Sequence, residues 1–370
     1  MHKLVPTLSR AGVVLAVLAT AGARAAQLPQ ETLAQLLANT GVSASGYLAA
    51  SYYDSSADNT YHQFDTGHDA FQLDQAGLTV GYQPRQGFGA LLEVIAGNDA
   101  KIINAAESAS AASNNAFDLL QGYVQYVHGG LELQAGKFTT LAGAEVIAPT
   151  GNANFSRSLL FYAEPMTHTG VRATYTANSA VTLIVGLNNG WNYTRVSSGS
   201  KTVELGLALN PFSRLSLSAQ SYIGNDPVDL ARRTLIDTVA TYNATAALQF
   251  VLSYDWGRQD ASAVTPGGRW SGVAAYVNQR LSRRWRVSVR GESLDDRNGF
   301  VTGTAQRLAE GTVTVGYDPT AQFELRLEGR YDHSNRPTFY HSHPAASTGR
   351  TLVRYSDRQS ELAVQGVYSF

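Results

Sequence analysis

From about residue 44 to the last residue, apolar and polar side chains alternate along the chain with a period of two. Gln322 to Tyr331 is the clearest run: Phe323, Leu325 and Leu327 alternate with Glu324, Arg326, Glu328 and Arg330. Between Arg284 and Glu292, Trp285, Val287 and Val289 stand against Arg284, Arg286, Ser288, Arg290 and Glu292. Val203, Leu205, Leu207 and Leu209 repeat the pattern, as do Leu248, Phe250, Leu252, Tyr254 and Trp256. Successive side chains of a strand point to opposite faces, so each run predicts a strand with one apolar and one polar face.

The connections alternate as well. Some are tight, such as Pro84-Arg85-Gln86-Gly87, Gly129-Gly130, Asn178-Ser179, Ser282-Arg283 and Asp318-Pro319-Thr320. These are hairpin-turn chemistries. The others are long and polar: Ser55–His68, Asn98–Asn115, Thr139–Pro165 and Ser334–Val353. Short and long connections in turn describe an up-and-down meander with a turn end and a loop end. Strand starts are expected near residues 44, 71, 87, 117, 131, 167, 181, 201, 214, 234, 246, 269, 284, 305, 321 and 355. The runs near 71, 117 and 234 alternate poorly.

A soluble sandwich alternates too, but two features select a transmembrane β-barrel. Aromatic residues fall on the apolar parity near strand ends: Tyr52, Tyr82, Tyr126, Tyr175, Tyr242, Tyr254, Trp256, Trp285, Tyr317, Tyr331 and Tyr368. Such positions build interfacial girdles. The chain also ends Leu362, Val364, Gly366, Tyr368, Phe370 on one parity. This terminal strand resembles the C-terminal signature of bacterial outer-membrane barrels, which implies the barrel-assembly machinery as a partner reading Phe370. The fold class is therefore all-β, an antiparallel transmembrane barrel of about 16 strands (14–18). An even count returns both ends to the periplasmic side. A sheet of this size encloses water rather than a packed core.

Composition agrees. Charged residues make up 15% of the 370-residue chain, against roughly 25% in soluble domains. No run approaches the ~20 apolar residues of a membrane helix, and mean hydropathy is −0.16. The absence of Cys rules out a disulfide scaffold. Residues 1–25 read as a cleaved signal peptide, with Lys3 and Arg10, an apolar core Gly12–Ala19 and Ala23-Arg24-Ala25 at the cut. Residues 26–41 are expected as a short periplasmic segment with Leu33, Leu36 and Leu37 on one helical face, and 42–370 as the barrel. Cleavage removes three of 28 basic and none of 29 acidic residues, leaving a net charge of −4, which excludes nucleic acid as a partner.

Phe64-Asp65-Thr66-Gly67-His68-Asp69-Ala70-Phe71 through Leu78 resembles the first-loop motif of the β-barrel porin-2 (OmpL-like) family. Ala144-Glu145-Val146-Ile147, Thr150-Gly151-Asn152, Phe155-Ser156-Arg157-Ser158 and Glu164-Pro165 with Thr167-His168-Thr169-Gly170 extend it. The resemblance spans about residues 40–370. The chain carries Asp74 and Glu164 where family patterns tend to have Asn and an apolar residue. It implies a Gram-negative outer-membrane channel passing small hydrophilic solutes and ions. Comparable sixteen-strand porins are often trimers, so a homotrimer among outer-membrane lipids is the expected assembly.

Candidate chemistry follows from the count. Thr139–Pro165 is the third external connection, the one that narrows the pore in general porins. It is expected to form the constriction, with Glu145, Arg157 and Glu164 as pore residues. Arg172 joins them on the wall. The opposite wall gathers Arg290, Glu292, Glu324, Arg326, Glu328 and Arg330 on the lumen parity. Residues 256–370 hold 15 Arg and 11 acidic residues. Charge separated across a pore orients dipolar solutes and sets ion preference, so an anion- or dipole-preferring channel is the alternative reading. A hydrolase would use His62 or His68 with Asp65 or Asp69, but no nucleophile motif accompanies them. His341 and His343 are a weak metal candidate in a polar loop. No enzyme activity and no cofactor are expected.

Overall fold

The computed structural model describes residues 39–67, 69–107, 114–344 and 351–370. The expected signal peptide, and the expected helical segment except its last residues, lie outside these.

Sixteen antiparallel strands close into a barrel within the unit Gly41–Phe370. In chain order they are β1 (Ser43–Ser55), β2 (Ala70–Tyr82), β3 (Gly87–Ala96), β4 (Phe117–His128), β5 (Leu131–Thr139), β6 (Thr167–Asn178), β7 (Val181–Asn188), β8 (Thr202–Phe212), β9 (Leu215–Asn225), β10 (Arg232–Asn243), β11 (Leu248–Gln259), β12 (Gly268–Arg280), β13 (Trp285–Asp296), β14 (Gln306–Tyr317), β15 (Phe323–Ser334) and β18 (Arg358–Ser369). Every predicted strand start lies within three residues of an observed one. Each strand pairs with its chain neighbour, and β18 closes the sheet between β15 and β1. At that seam Gly46 and Phe370 exchange backbone hydrogen bonds of 3.0 and 2.9 Å.

Two of the poorly alternating runs have a physical cause. Asp74 of β2 and Leu120 of β4 are skipped in the pairing with β1 and β3. A β-bulge places two residues opposite one and shifts the side-chain parity. Here both Asp74 and Gln75 are buried, and Leu120 is only 1% exposed.

Two long connections hold structure that the alternation did not announce. Residues 97–116 (L2) contain helix α1 (Asn98–Glu107), and 335–357 (L8) contain an external hairpin, β16 (Phe339–Pro344) with β17 (Thr351–Ser356). Arg284, assigned from its parity to the lumen face of β13, precedes that strand as an exposed turn residue.

The outer face is apolar and exposed: Val171, Val185, Leu205, Leu252, Leu327 and Leu362 all point away from the lumen. A continuous apolar belt of this kind is stable only against lipid. Aromatic pairs mark its edges. Trp285–Tyr317 and Phe88–Tyr126, at 4.6 and 4.7 Å, sit at the turn end, and Tyr52–Phe71 at 4.7 Å sits at the loop end.

Candidate functional site

The inside of the barrel is dominated by the third connection, residues 140–166 (L3), which turns inward. Thr150 shares a recess with Arg284, Pro319 and Glu324, and Ala153 shares one with Asn243 and Arg286. Those partners belong to the turn end, so L3 runs down the lumen from the loop end almost to the opposite mouth.

Its grip on the wall follows from peptide chemistry. An extended segment offers alternating carbonyls and N–H groups, and the wall offers rows of matching sign. Strand register places Arg286 level with Arg326, Ser288 with Thr314 and Glu328, Arg290 with Thr312 and Arg330, and Glu292 with Glu310 and Asp332. The arginines take the carbonyls: Arg286 donates to Ala153 O (2.6 Å), Arg326 to Asn154 O (3.4 Å), Arg290 to Ser156 O (2.8 Å) and Arg330 to Arg157 O (2.7 Å). The carboxylates take the N–H groups: Glu328 accepts from Phe155 (2.6 Å) and Ser156 (2.8 Å), and Glu292 from Leu159 (2.8 Å). Charge-assisted bonds of this kind are about twice as strong as neutral ones.

Ion pairs tie the rows together. Arg290 meets Glu145 at 2.8 Å and Glu310 at 3.1 Å. Arg326 meets Glu324 at 2.8 Å, and Arg330 meets Asp332 at 2.8 Å. Gly316 leaves room for this packing, because a Cβ there would stand 2.6 Å from Glu324 Oε1 and 2.7 Å from Arg286 Nε. Arg290, Glu292, Arg326, Glu328 and Arg330 are all buried. The ladder therefore stands beneath L3 and holds it, where the sequence reading pictured charges facing open water.

Within the loop, Arg157 donates to Val146 O, Phe155 O and Ile147 O at 3.0, 2.8 and 2.8 Å. Its guanidinium ties L3 to itself, and burial pulls its pKa below the ordinary arginine value. Asn152 bonds Val146 on both backbone groups. Glu145 accepts from Ser158 N at 2.7 Å, and Ser158 caps a short turn, α2 (Leu159–Tyr162). Above it, Ile147, Phe161 and Met166 pack with Phe64, Ile95, Ile103 and Leu120, so the β4 bulge supplies a lumen core residue.

On the other wall, Arg172 bonds Glu204 through Nε (3.0 Å) and Nη2 (2.9 Å) and lies 4.0 Å over the Phe138 ring. Tyr222 accepts from Leu141 N and donates to Glu204. Glu164 reaches across to Asp237 of β10 and Asp255 of β11. Its burial, and then the charges of Asp255 and Asp237, push its carboxyl well above the usual range. The stretch of wall away from L3 presents Gln134, Thr174, Thr182, Ser218 and Thr241 to the lumen, half-buried, with the carboxylate of Glu132 beside Thr174.

The first loop (56–69, L1) closes on the wall of β15 and β18. His62 lies 2.5 Å from Asp65 and 3.1 Å from Asp332, fully buried. Burial and Arg330 oppose its protonation, but Asp65 and Asp332 outweigh them and raise its pKa to about 10. With both ring nitrogens held by carboxylates, His62 has none left to act as a base, so the His62–Asp65 pairing weighed for catalysis is a structural clamp. His68 lies outside the described residues. His341 and His343 fall in β16, and their side chains also lie outside them.

Glu310, Asp237 and Tyr222 carry no signal along the chain, because each needs its partner from another strand to acquire a role.

The model of the family described as "Putative beta-barrel porin-2, OmpL-like" matches residues 41–370. None of the curated proteins matches the chain. Among solved structures, the outer membrane channel DcaP of Acinetobacter baumannii is similar with a TM-score of 0.58 at 13% identity, covering 89% of this chain and 97% of that one. The anion-selective porin from Comamonas acidovorans gives 0.58 at 11%, covering 89% and 99%. The trimer form of OmpT of Vibrio cholerae gives 0.57 at 11%, covering 89% and 99%. At these identities the likeness is one of fold.

Proposed function

Because the chain belongs to the OmpL-like β-barrel porin-2 family, and so is a passive outer-membrane channel, we propose that it admits small hydrophilic solutes and ions past a constriction formed by L3. The observation that carries this reading is the descent of L3 through the lumen and its fixation to β13–β15. Glu145, Arg157, Glu164, Arg172, Arg290, Glu292, Glu324, Arg326, Glu328 and Arg330 then set the width of the passage by holding that loop and bracing its wall. A solute meets L3 on one side and Gln, Thr and Ser groups with Glu132 on the other, so discrimination rests on size and hydration together with the carboxylate of Glu132. Residues 1–25 direct export, the barrel-assembly machinery reads the strand ending in Phe370, and three copies assemble, as in the OmpT form described as a trimer.

Planar-bilayer recording tests the central claim. Purified protein should give stable water-filled conductance steps, and deletion of Ala148–Ser156 should enlarge them. Equal conductance in the two proteins would overturn the constriction.

A further inference from the structure

Glu164, Asp237 and Asp255 are buried together, with one carboxylate oxygen from each within 4.8 Å of the others. Asp237 and Asp255 are direct cross-strand partners on β10 and β11, both fully buried. Like charges placed opposite each other in a sheet repel. At other crowded lumen carboxylates a partner answers this: Lys137 for Glu107 and Asp118, Arg172 for Glu204, Arg290 for Glu145 and Glu310, Arg330 for Asp332, and Ser51 and side-chain amides for Asp74 and Asp99. This group has no such answer. Five of its six oxygens are buried without a well-formed hydrogen bond, the nearest approaches being the Gly143 N–H to Asp237 and the carboxyls to one another, and Asp237 and Asp255 are alone among the described residues in having both oxygens so.

The loop side is shaped to bring the third carboxylate in. Gly143 has φ +82°, and a Cβ there would lie 2.1 Å from Glu164 Oε2. The Glu164 side chain, 7% exposed, is thus seated against bare backbone and aimed at the two aspartates.

We propose that Glu164, Asp237 and Asp255 form a calcium site that ties the base of L3 to β10 and β11. Hard oxygen donors without nitrogen or sulfur favour calcium or magnesium over zinc or copper. The spacing suits a calcium ion with oxygen bonds of about 2.3–2.6 Å. Magnesium keeps several of its waters and demands a near-octahedral shell, whereas calcium takes irregular sets of carboxylate oxygens. The other grouping of suitable residue types, His62 with Asp65 and Glu361, is already neutralised by its own histidine and by Arg330 beneath it. The bound ion would complete a two-sided mount for L3: the Arg/Glu rows on β13–β15, and the metal on β10–β11.

The test is calcium binding to the detergent-purified barrel after EDTA treatment, by calorimetry and by thermal melting. One calcium per chain, with a melting temperature that rises and saturates with calcium, is expected for the natural sequence. Asp237→Asn/Asp255→Asn should fold, since it removes repulsion, and should lose the binding heat and the calcium-induced shift. Glu164→Gln should weaken binding at least tenfold. Absence of calcium binding to the natural chain, or equal binding in the double variant, would overturn the site and leave the carboxyls sharing protons. A conductance arm rests on the constriction reading: EDTA should make the current noisier and larger. If calcium binds and the current does not change, the metal site stands and the constriction falls.

Discussion

Arg290 of β13 and Glu145 of L3 meet at 2.8 Å, 145 residues apart in sequence, with the guanidinium fully buried. The same guanidinium also holds Ser156 O and Glu310. Arg290→Ala would leave two buried carboxylates and a carbonyl without their donor. Breaking one side of a buried pair costs about 3–5 kcal/mol. The expected outcome is a channel that still assembles but melts at lower temperature and conducts more, with larger current fluctuations. Single-channel recording and a thermal melt check both. An Arg290→Ala channel indistinguishable from the natural one would remove the latch.

Arg157 makes a different prediction, because all three of its bonds stay within L3. Arg157→Ala orphans the carbonyls of Ile147 and Phe155, at about 1–3 kcal/mol for each buried group left unsatisfied, and leaves Val146 O to Asn152 alone. Lysine cannot imitate the fork-shaped donor, so Arg157→Lys should behave nearly as badly. Hydrogen exchange at Val146–Arg157 should speed up in both variants while the barrel amides stay protected.

Closure of the wall depends on a missing side chain. A Cβ at Gly46 would stand 2.5 Å from the Phe370 ring and 2.8 Å from Gly77 O. The second contact is with backbone and cannot be relieved by a rotamer change. Gly46→Ala should therefore lower the melting temperature and slow barrel closure, read as loss of the heat-modifiable band on electrophoresis. Gly311→Ala is the control, since its site is open, and it should leave closure unchanged.

The His62 clamp carries a pH signature. Its pKa in the folded protein, about 10, exceeds the value of about 6.5 for an unfolded histidine. The stabilisation is thus complete below about pH 6.5 and falls away as pH climbs through about 10. Melting temperature should decline over that upper range, and His62→Gln should flatten that part of the profile. Protease cleavage within residues 56–67 should rise in parallel. A profile identical in the two proteins would show that L1 is held by other contacts.

The frame of this molecule was legible because lipid on one side and water on the other force a period of two onto every strand. Where legibility failed, the causes are local or distant. The bulges at Asp74 and Leu120 scramble parity for two residues and turn both an acid and a leucine inward. The β16–β17 hairpin lies outside the bilayer, where no solvent asymmetry imposes alternation on Phe339–Pro344. The lumen side of Arg290, Arg326 and Arg330 could be read from parity, yet parity says nothing of what covers a face. Glu164 and Asp237 are 73 positions apart in the chain, and their meeting depends on L3 folding inward and on a bare Gly143. No pattern along the chain records that.

The latch has a consequence for how the wall is built. L3 ends at residue 166, whereas the rows that hold it lie on strands that begin at Trp285, with bonds spanning 132 to 173 positions. Contacts so distant in sequence form slowly, and they form only if β13, β14 and β15 are aligned. A slip of one residue would send Arg290, Glu310 and Arg330 toward the acyl chains and strip L3 of its partners on β13–β15. The loop thus works as a gauge during assembly: misaligned strands cannot be accepted by it, and a correctly aligned set is fastened at once from within.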